Sequence, residues 1–147
     1  MYKRILVPSD GSALSQKAVR SAVALASSVG AEVVGMSVVP RYPMAFFEGG
    51  ANVEPDTVAR VERQWAEQGQ AVADAVGEAA QKAGVKSRSI TIRSDLVAEA
   101  IVAAARKHKC DLVVMASHGR KGLKRLLLGS ETQHVLTHSH IPVLVLR

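Results

Sequence analysis

The fold is decided by the stretch Leu112-Val113-Val114-Met115-Ala116-Ser117-His118-Gly119, in which five apolar residues run directly into a polar turn. An uninterrupted apolar run of this kind is typical of a strand that is covered on both faces, as in a parallel sheet. The stretch Ile5-Leu6-Val7-Pro8-Ser9-Asp10-Gly11-Ser12 near the start has the same form. Each stretch therefore predicts a buried strand followed by a glycine-containing loop.

Strands and helices alternate along the rest of the chain. Apolar residues recur at spacings of three and four over residues 13–29, which predicts a helix ending at Gly30. A long helix is expected over residues 55–84, with Trp65 on its apolar face and with local weakening at Gly69 and Gly77. A third helix follows a cap at Asp95. The strands are expected at residues 5–8, 32–39, 89–93, 112–116 and 141–146.

A short fourth helix is expected from Ser130 to about residue 139, opened by a capping box of Ser130 and Gln133. Between strand and helix, residues 117–128 are expected to form a loop, with a helical turn around residues 123–128. Another loop is expected from residue 40 to about residue 54.

This alternation indicates a doubly wound α/β fold, a five-stranded parallel sheet with helices on both faces. With 147 residues and no repeat or linker, we expect a single domain over residues 1–147. Ligands of such sheets bind beyond the carboxyl ends of the strands, where the strand order reverses. The loops at residues 9–12 and 117–119 are therefore the candidate binding segments.

Composition narrows the class of protein. The chain is 48% hydrophobic and only 3% aromatic, and it carries a single cysteine and a formal charge of +6. No apolar run reaches the roughly 18 residues of a membrane span, and the four apolar residues that follow Arg4 are too few for a secretory signal. We therefore expect a cytoplasmic protein with no membrane partner and no disulfide framework. The positive charge favours anionic partners without choosing among them.

A second pattern points to phosphate. Gly119 lets the backbone approach a ligand closely, and Gly129-Ser130 opens a helix whose first amides lack intrahelical partners and attract anions. Four cations lie between these glycines: Arg120, Lys121, Lys124 and Arg125. The alternative is a loop whose glycines only serve turns and a cap. Both explanations stay open on spacing alone.

Other signatures are missing or weak. There is no Walker phosphate loop, dinucleotide fingerprint, nucleophile elbow or zinc-protease motif. His134 and His138 have a spacing that suits zinc, but exposed histidines near a helix end explain them equally well, and we expect no metal site. Cys110, just before a buried strand, is expected to pack rather than react.

The chain resembles the universal stress protein family from end to end. The resemblance rests on the two stretches quoted above, on Leu126-Leu127-Leu128-Gly129-Ser130 and on Ile141-Pro142-Val143-Leu144-Val145. The nucleotide-binding branch of that family carries a G-x2-G-x9-G-[ST] pattern. This chain matches it at Gly119, Gly129 and Ser130 and has Ala116 in place of the first glycine.

The resemblance implies an adenine-nucleotide-binding stress-response protein, with ATP or AMP as ligand and Mg²⁺ as an optional companion. Asp10 would reach the ribose, a role compatible with capping the first helix. The backbone of Val38 would meet the adenine edge, and Gly119, Gly129 and Ser130 would hold the phosphates. His118 is interpreted as shaping the loop rather than as a base. The full candidate set is Asp10, Val38, Ala116, His118, Gly119, Gly129, Ser130 and Glu131.

The resemblance also implies strand order 3-2-1-4-5 and a homodimer formed through the C-terminal strand. In that order the last strand is an edge, and Val143, Leu144 and Val145 form an uninterrupted apolar edge that needs a cover. The alternative is a monomer whose loops cover this edge.

Three other functions compete with nucleotide sensing. A slow ATPase would use the same site but lacks an evident base to orient water. A dimeric scaffold would bind no nucleotide. Nucleic-acid binding ranks last because residues 106–147 contain no aromatic side chain for base stacking.

Overall fold

The computed structural model describes residues 1–43, 54–120 and 127–147. Nine elements follow one another in these segments: β1 (Arg4–Pro8), α1 (Ala13–Val29), β2 (Glu32–Val39), α2 (Pro55–Lys82), β3 (Ser87–Arg93), α3 (Val97–Lys107), β4 (Leu112–Ala116), α4 (Ser130–His138) and β5 (Val143–Leu146). Residues 44–53 of the first predicted loop and residues 121–126 of the second lie outside the described residues. The same holds for most of the helical turn predicted around residues 123–128.

All strand pairs are parallel, and the sheet order is β3-β2-β1-β4-β5. Leu6 is in register with Val34 of β2 on one side and with Val113 of β4 on the other. The predicted doubly wound fold and its strand order are confirmed. The order reverses between β1 and β4, so the loops after these two strands meet at the switch point.

The sheet separates two apolar cores, because alternate side chains of each strand face opposite sides. Ile5, Val7 and Val114 pack with α1 and α2 on one face. Leu6, Val113 and Met115 pack with α3 and α4 on the other. Every residue of β4 is buried, as its uninterrupted apolar run predicts.

Helix α2 lies unusually close to the sheet. A Cβ atom on Gly35 of β2 would lie 2.8 Å from Val76 Cβ, and one on Gly69 would collide with Val39 Cγ1. A Cβ atom on Gly77 would lie 2.8 Å from the Ser89 hydroxyl. Gly69 and Gly77, expected only to weaken the helix, lie inside a continuous helix and allow this close approach.

Three capping predictions are wrong. Ser12, not Asp10, caps α1, with its hydroxyl accepting from the Ser15 amide. Leu96, not Asp95, occupies the cap position of α3. The Asp95 carboxylate accepts instead from the Arg41 amide at 3.0 Å.

The third incorrect capping prediction concerns α4. Gly129 is its N-cap, and Ser130 is the first helical residue, with no side-chain cap bond. Gln133 therefore does not complete a capping box. Its side-chain amide Nε2 donates to the Leu128 carbonyl at 3.2 Å.

Three strand starts also differ from the prediction, and that of β1 differs by one residue, at Arg4. β3 begins at Ser87, where the Ser87 and Ser89 hydroxyls donate to the Gly77 and Ala73 carbonyls of α2. β5 begins at Val143, since Pro142 has no amide hydrogen to offer a neighbouring strand.

Candidate functional site

Asp10 is the centre of the candidate site. It follows β1 at the switch point, and its two carboxylate oxygens bind different segments of the chain. Oδ1 accepts from the Ser12 amide at 2.9 Å, which shapes the turn into α1. Oδ2 accepts from the Arg120 amide at 2.8 Å. The loops after β1 and β4, chosen from sequence as the candidate segments, are thus joined through this carboxylate.

The electrostatics keep Asp10 ionised at neutral pH. Burial raises the pKa of Asp10, but hydrogen bonds from the Ser12 hydroxyl and amide, the Arg120 amide and the Ser15 hydroxyl outweigh it. The pKa of this carboxyl therefore lies below its usual value. A half-buried carboxylate at this position can still accept hydrogen bonds from ligand hydroxyls.

Gly119 is required by the contact with Asp10. A Cβ atom at this position would lie 2.5 Å from Asp10 Oδ2, closer than any side chain can come without a shift. The loop after β4 can approach the carboxylate this closely only because residue 119 is glycine.

Gly129 docks the start of α4 onto the end of β4. Its amide donates to the Ser117 carbonyl at 2.8 Å, and a Cβ atom would lie 3.2 to 3.4 Å from Ser117 and His118. The Thr132 hydroxyl, which is buried, donates to the Ala116 carbonyl at 3.0 Å. The first turn of α4 is thereby fixed against the end of β4, with the positive end of the helix dipole at this edge of the sheet.

A cleft of about 510 Å³ adjoins the carboxylate, a volume in the range of small-ligand sites. Asp10 and Arg120 are among its lining residues. The remaining lining comes from β2, the residues that follow it and one face of α2: Ser37, Val38, Val39, Pro40, Trp65, Gln68, Gly69 and Val72. Val38, predicted from sequence, thus shares a cleft with Asp10.

Of the ten lining residues, only Asp10 and Val38 are predicted from sequence as site residues, and Trp65 and Arg120 are among the other eight. Trp65 is assigned there to the apolar face of the long helix, yet in the structure it is half-buried and borders the cleft. Trp65, Gln68, Gly69 and Val72 have the spacing of one helix face. An aromatic residue one turn before a glycine on that face is the sequence feature that indicates a cleft here. Arg120 was noted only as a cation, whereas its amide fixes Asp10.

The predicted residues therefore fall into two groups around Asp10. Val38 lies in the cleft, whereas Ala116, His118, Gly119 and Gly129 lie where β4 meets α4. His118 Nδ1 is 3.1 Å from the Ser117 hydroxyl, a contact that suits a loop-shaping residue. Ser130 is exposed at the start of α4.

Glu131 is engaged elsewhere. Its Oε2 accepts from the Ala98 amide at 2.9 Å, so this carboxylate serves the first turn of α3 across 33 residues of chain. Of the four cations counted in the loop, Arg120 alone lies among the described residues.

A larger depression, about 690 Å³, lies between α3 and α4 and shares no residue with the Asp10 cleft. It lacks the converging strand ends and glycine loops that define the switch-point site, so its size does not make it the better candidate. His134 and His138 line it with their rings stacked at 4.1 Å. Across residues 1–43, 54–120 and 127–147, no group of three or more metal-ligating side chains converges.

Two smaller observations complete the description. Burial raises the pKa of the Cys110 thiol to about 11, so it stays protonated at neutral pH, and its side chain belongs to the second core. Within the described segments, no helix combines the length and apolar character needed to cross a bilayer.

Fold and cleft position together define a doubly wound α/β domain with its candidate site at the switch point. Comparison with known sequences makes the assignment more specific: the sequence model described as "Universal stress protein family" matches residues 1–147. Universal stress protein MJ0531 of Methanocaldococcus jannaschii is 34% identical over all of this chain and 83% of its own length. The chain belongs to the universal stress protein family.

Solved structures agree with this assignment. The structure of MJ0577, described in a study on "structure-based assignment of the biochemical function" of that protein, is similar with a TM-score of 0.83 and 27% identity, covering 99% of this chain and 96% of that one. A universal stress protein in complex with cAMP (TM-score 0.65, 23% identity, covering 98% and 95%) shares the fold. So does one from Archaeoglobus fulgidus in complex with dAMP (TM-score 0.62, 17% identity, covering 99% and 98%).

Proposed function

We propose that this protein binds an adenine nucleotide, ATP or AMP, between residues 10–12 and 116–131 and serves as a stress-response regulator rather than as an enzyme. The observation that carries the proposal is the position of Asp10. Its carboxylate stands between an apolar cleft that suits a base and a pair of glycines beside a helix N-terminus that suits phosphates. The cAMP and dAMP complexes of universal stress proteins with this fold support the same class of ligand.

Each part of the nucleotide has a matching surface in this arrangement. The adenine lies in the cleft, with its edge against the backbone of Val38. The ribose hydroxyls donate to Asp10, which stays ionised. The phosphates lie over Gly119 and Gly129 and meet the amide and hydroxyl of Ser130, where the dipole of α4 favours negative charge. Ala116, one methyl group larger than glycine, borders the same space.

Catalysis is limited by the lack of a positioned base. His118 Nδ1 contacts the Ser117 hydroxyl, and both oxygens of Asp10 accept backbone amides. A water molecule attacking the terminal phosphate therefore has no evident group among these residues to orient it. Mg²⁺, where it accompanies ATP, would be bound mainly through the phosphates. Titrations with ATP in the presence and absence of Mg²⁺, together with phosphate release, test both points.

Calorimetry with ATP and AMP tests the proposal directly. Gly129→Asp should abolish binding, because a side chain and a negative charge would enter the phosphate space. Gly84→Asp is the control: it introduces the same side chain at a glycine with open space around it, and although its φ of 72° adds backbone strain, the variant should bind like the wild type once thermal unfolding shows that it is folded. Wild-type protein that binds no adenine nucleotide refutes the function.

Mass spectrometry of small molecules released from the purified protein would identify the physiological ligand.

We also propose that residues 1–147 form one domain, since both cores share one sheet. A cytoplasmic location is proposed from composition and family resemblance and is tested by cell fractionation.

We further propose a homodimer through antiparallel pairing of β5. This strand is the edge of the sheet beside β4, and Leu144 on it is 43% exposed although apolar. Val143 and Val145 alternate with it, so the edge offers an uninterrupted apolar strand that needs a cover. Two copies related by a twofold axis provide that cover with identical surfaces.

Sedimentation equilibrium tests the pairing. Wild type should be a dimer at micromolar concentration and Leu144→Lys a folded monomer, because an edge lysine opposes strand pairing. Leu96→Lys, at an apolar residue that is 59% exposed away from β5, is the control and should remain dimeric. A monomeric wild type, or a Leu144→Lys dimer, contradicts this interface.

A further inference from the structure

One residue of the cleft lining, Trp65, belongs to an aromatic pair. The Tyr42 and Trp65 rings lie 6.1 Å apart between centroids at an interplanar angle of 23°. Trp65 lines the cleft together with Val38 and Asp10. In a chain with only 3% aromatic residues and one tryptophan, such a pair at the candidate site is a notable concentration.

Three polar contacts hold the segment that carries Tyr42. The Arg41 amide donates to Asp95 Oδ1 at 3.0 Å, after β3. The Tyr42 amide donates to Glu62 Oε1 of α2 at 3.4 Å, a long contact. The other oxygen of Glu62 accepts from Arg93 Nη1 at 3.0 Å. The chain leaving β2 is thereby tied both to the helix that bears Trp65 and to the neighbouring strand.

Gly69 places Trp65 against the cleft. It lies one turn after Trp65 and has no room for a side chain against Val39, so α2 approaches the end of β2 closely. Trp65, Gln68, Gly69 and Val72 follow one helical stripe along the cleft. The indole therefore borders the same cleft as the Asp10 carboxylate.

We propose that Trp65 is the stacking surface for the base of the ligand, with Tyr42 supporting it, and that this pair makes the cleft prefer a purine to a pyrimidine. The inference rests on the nucleotide-binding function proposed above and adds to it the residue that selects the base. A flat heterocycle gains most when it covers an aromatic face, and the larger purine ring covers more of that face than a pyrimidine does.

Because Trp65 is the only tryptophan, its fluorescence reports on the base directly. AMP should quench the emission and ribose 5-phosphate should not. AMP should bind more tightly than CMP. Trp65→Leu should weaken AMP binding by about tenfold or more, the usual contribution of one stacked base, and should leave ribose 5-phosphate binding within about twofold. Trp65→Phe, which keeps a ring, should retain most of the AMP affinity.

Tyr2→Leu is the control, since Tyr2 packs on the first core, on a different part of the chain from the cleft. Thermal unfolding of each variant shows that it is folded before it is titrated. AMP binding that is unchanged in Trp65→Leu overturns the proposal, and so does an equal loss for AMP and ribose 5-phosphate. Wild-type protein that binds neither AMP nor ATP refutes the nucleotide function itself, an outcome distinct from nucleotide binding that ignores Trp65.

Discussion

Replacing Gly119 with alanine tests whether Asp10 holds the loop that follows β4. The new Cβ atom would lie 2.5 Å from Asp10 Oδ2, inside the 3.0 Å that Cβ atoms essentially never cross. Either the carboxylate or the loop must therefore move by about 0.5 Å or more. The hydrogen bond from the Arg120 amide to the same oxygen, 2.8 Å long, is the contact that this movement disturbs.

The expected loss follows from that bond. A hydrogen bond to a charged group contributes roughly 1.5–3 kcal/mol, and the half-exposed position of Asp10 reduces this through solvent screening. We expect Gly119→Ala to lower the free energy of unfolding by about 1–2 kcal/mol. The ligand should also bind more weakly, because the displaced carboxylate is the proposed partner of the ribose.

Urea unfolding of a double-mutant cycle separates this effect from general strain. Asp10→Asn weakens the same bond, because the amide nitrogen of asparagine cannot accept from Arg120. If the alanine acts through Asp10, the double variant should lose less than the sum of the two single losses, by about 1 kcal/mol.

Gly84→Ala is the matched control. It has a positive φ of 72° and open space around it, so alanine there introduces backbone strain without a contact. Its effect should add to that of Asp10→Asn. Additivity within about 0.5 kcal/mol for Gly119→Ala as well would refute the argument that this glycine is required by the carboxylate.

Three further predictions concern packing, acid stability and the altered motif. Gly69→Ala should destabilise the fold by about 1–3 kcal/mol through overpacking against Val39, and an unchanged urea midpoint would contradict the close approach of α2. Burial raises the pKa of Glu32, but Arg88 and Arg4 outweigh it and hold the pKa below its ordinary value of 4.5. The ionised form therefore stabilises the fold, fully above that value and less as pH falls through the folded-state pKa; unfolding of Glu32→Gln between neutral pH and pH 3 should show a shallower acid loss than wild type. Ala116→Gly should leave the affinity for AMP within about tenfold, or ~1.4 kcal/mol, by calorimetry, since one methyl group is the whole difference; a larger change would show that this methyl group blocks the ligand.

The parts of the fold that could be predicted from sequence are those set by nearby residues. The apolar runs of β1 and β4 identify buried strands, and Gly30 ends α1 in the left-handed conformation that glycine favours. Those runs and the alternation of elements also located the switch point. The strand order itself came from the family resemblance, because periodicity does not say which strands are neighbours.

Local sequence rules are incomplete where a side chain has a partner that lies far away in sequence. Asp95 has the right type and position to cap α3, but the Arg41 amide, 54 residues away, binds it instead. Glu131 follows the phosphate motif directly, and its carboxylate accepts from the Ala98 amide in the first turn of α3, 33 residues away; its place in the ligand site stays a prediction. In each case a local rule names a competent side chain, and tertiary structure supplies a different partner.

The phosphate half of the candidate site can be predicted from sequence better than the base half, and the reason is again the distance between partners along the chain. The phosphate half depends on Gly119 and Gly129, which are ten residues apart and carry their spacing in the sequence. The base half is assembled from the end of β2 and the middle of α2, where apolar periodicity assigns Trp65 to the core. Only the close approach permitted by Gly69 brings the indole beside Val38. A substitution at Gly69 should therefore disturb the base half while the bonds from the Arg120 amide to Asp10 and from the Gly129 amide to Ser117 remain, so affinity for AMP should fall more than affinity for ribose 5-phosphate.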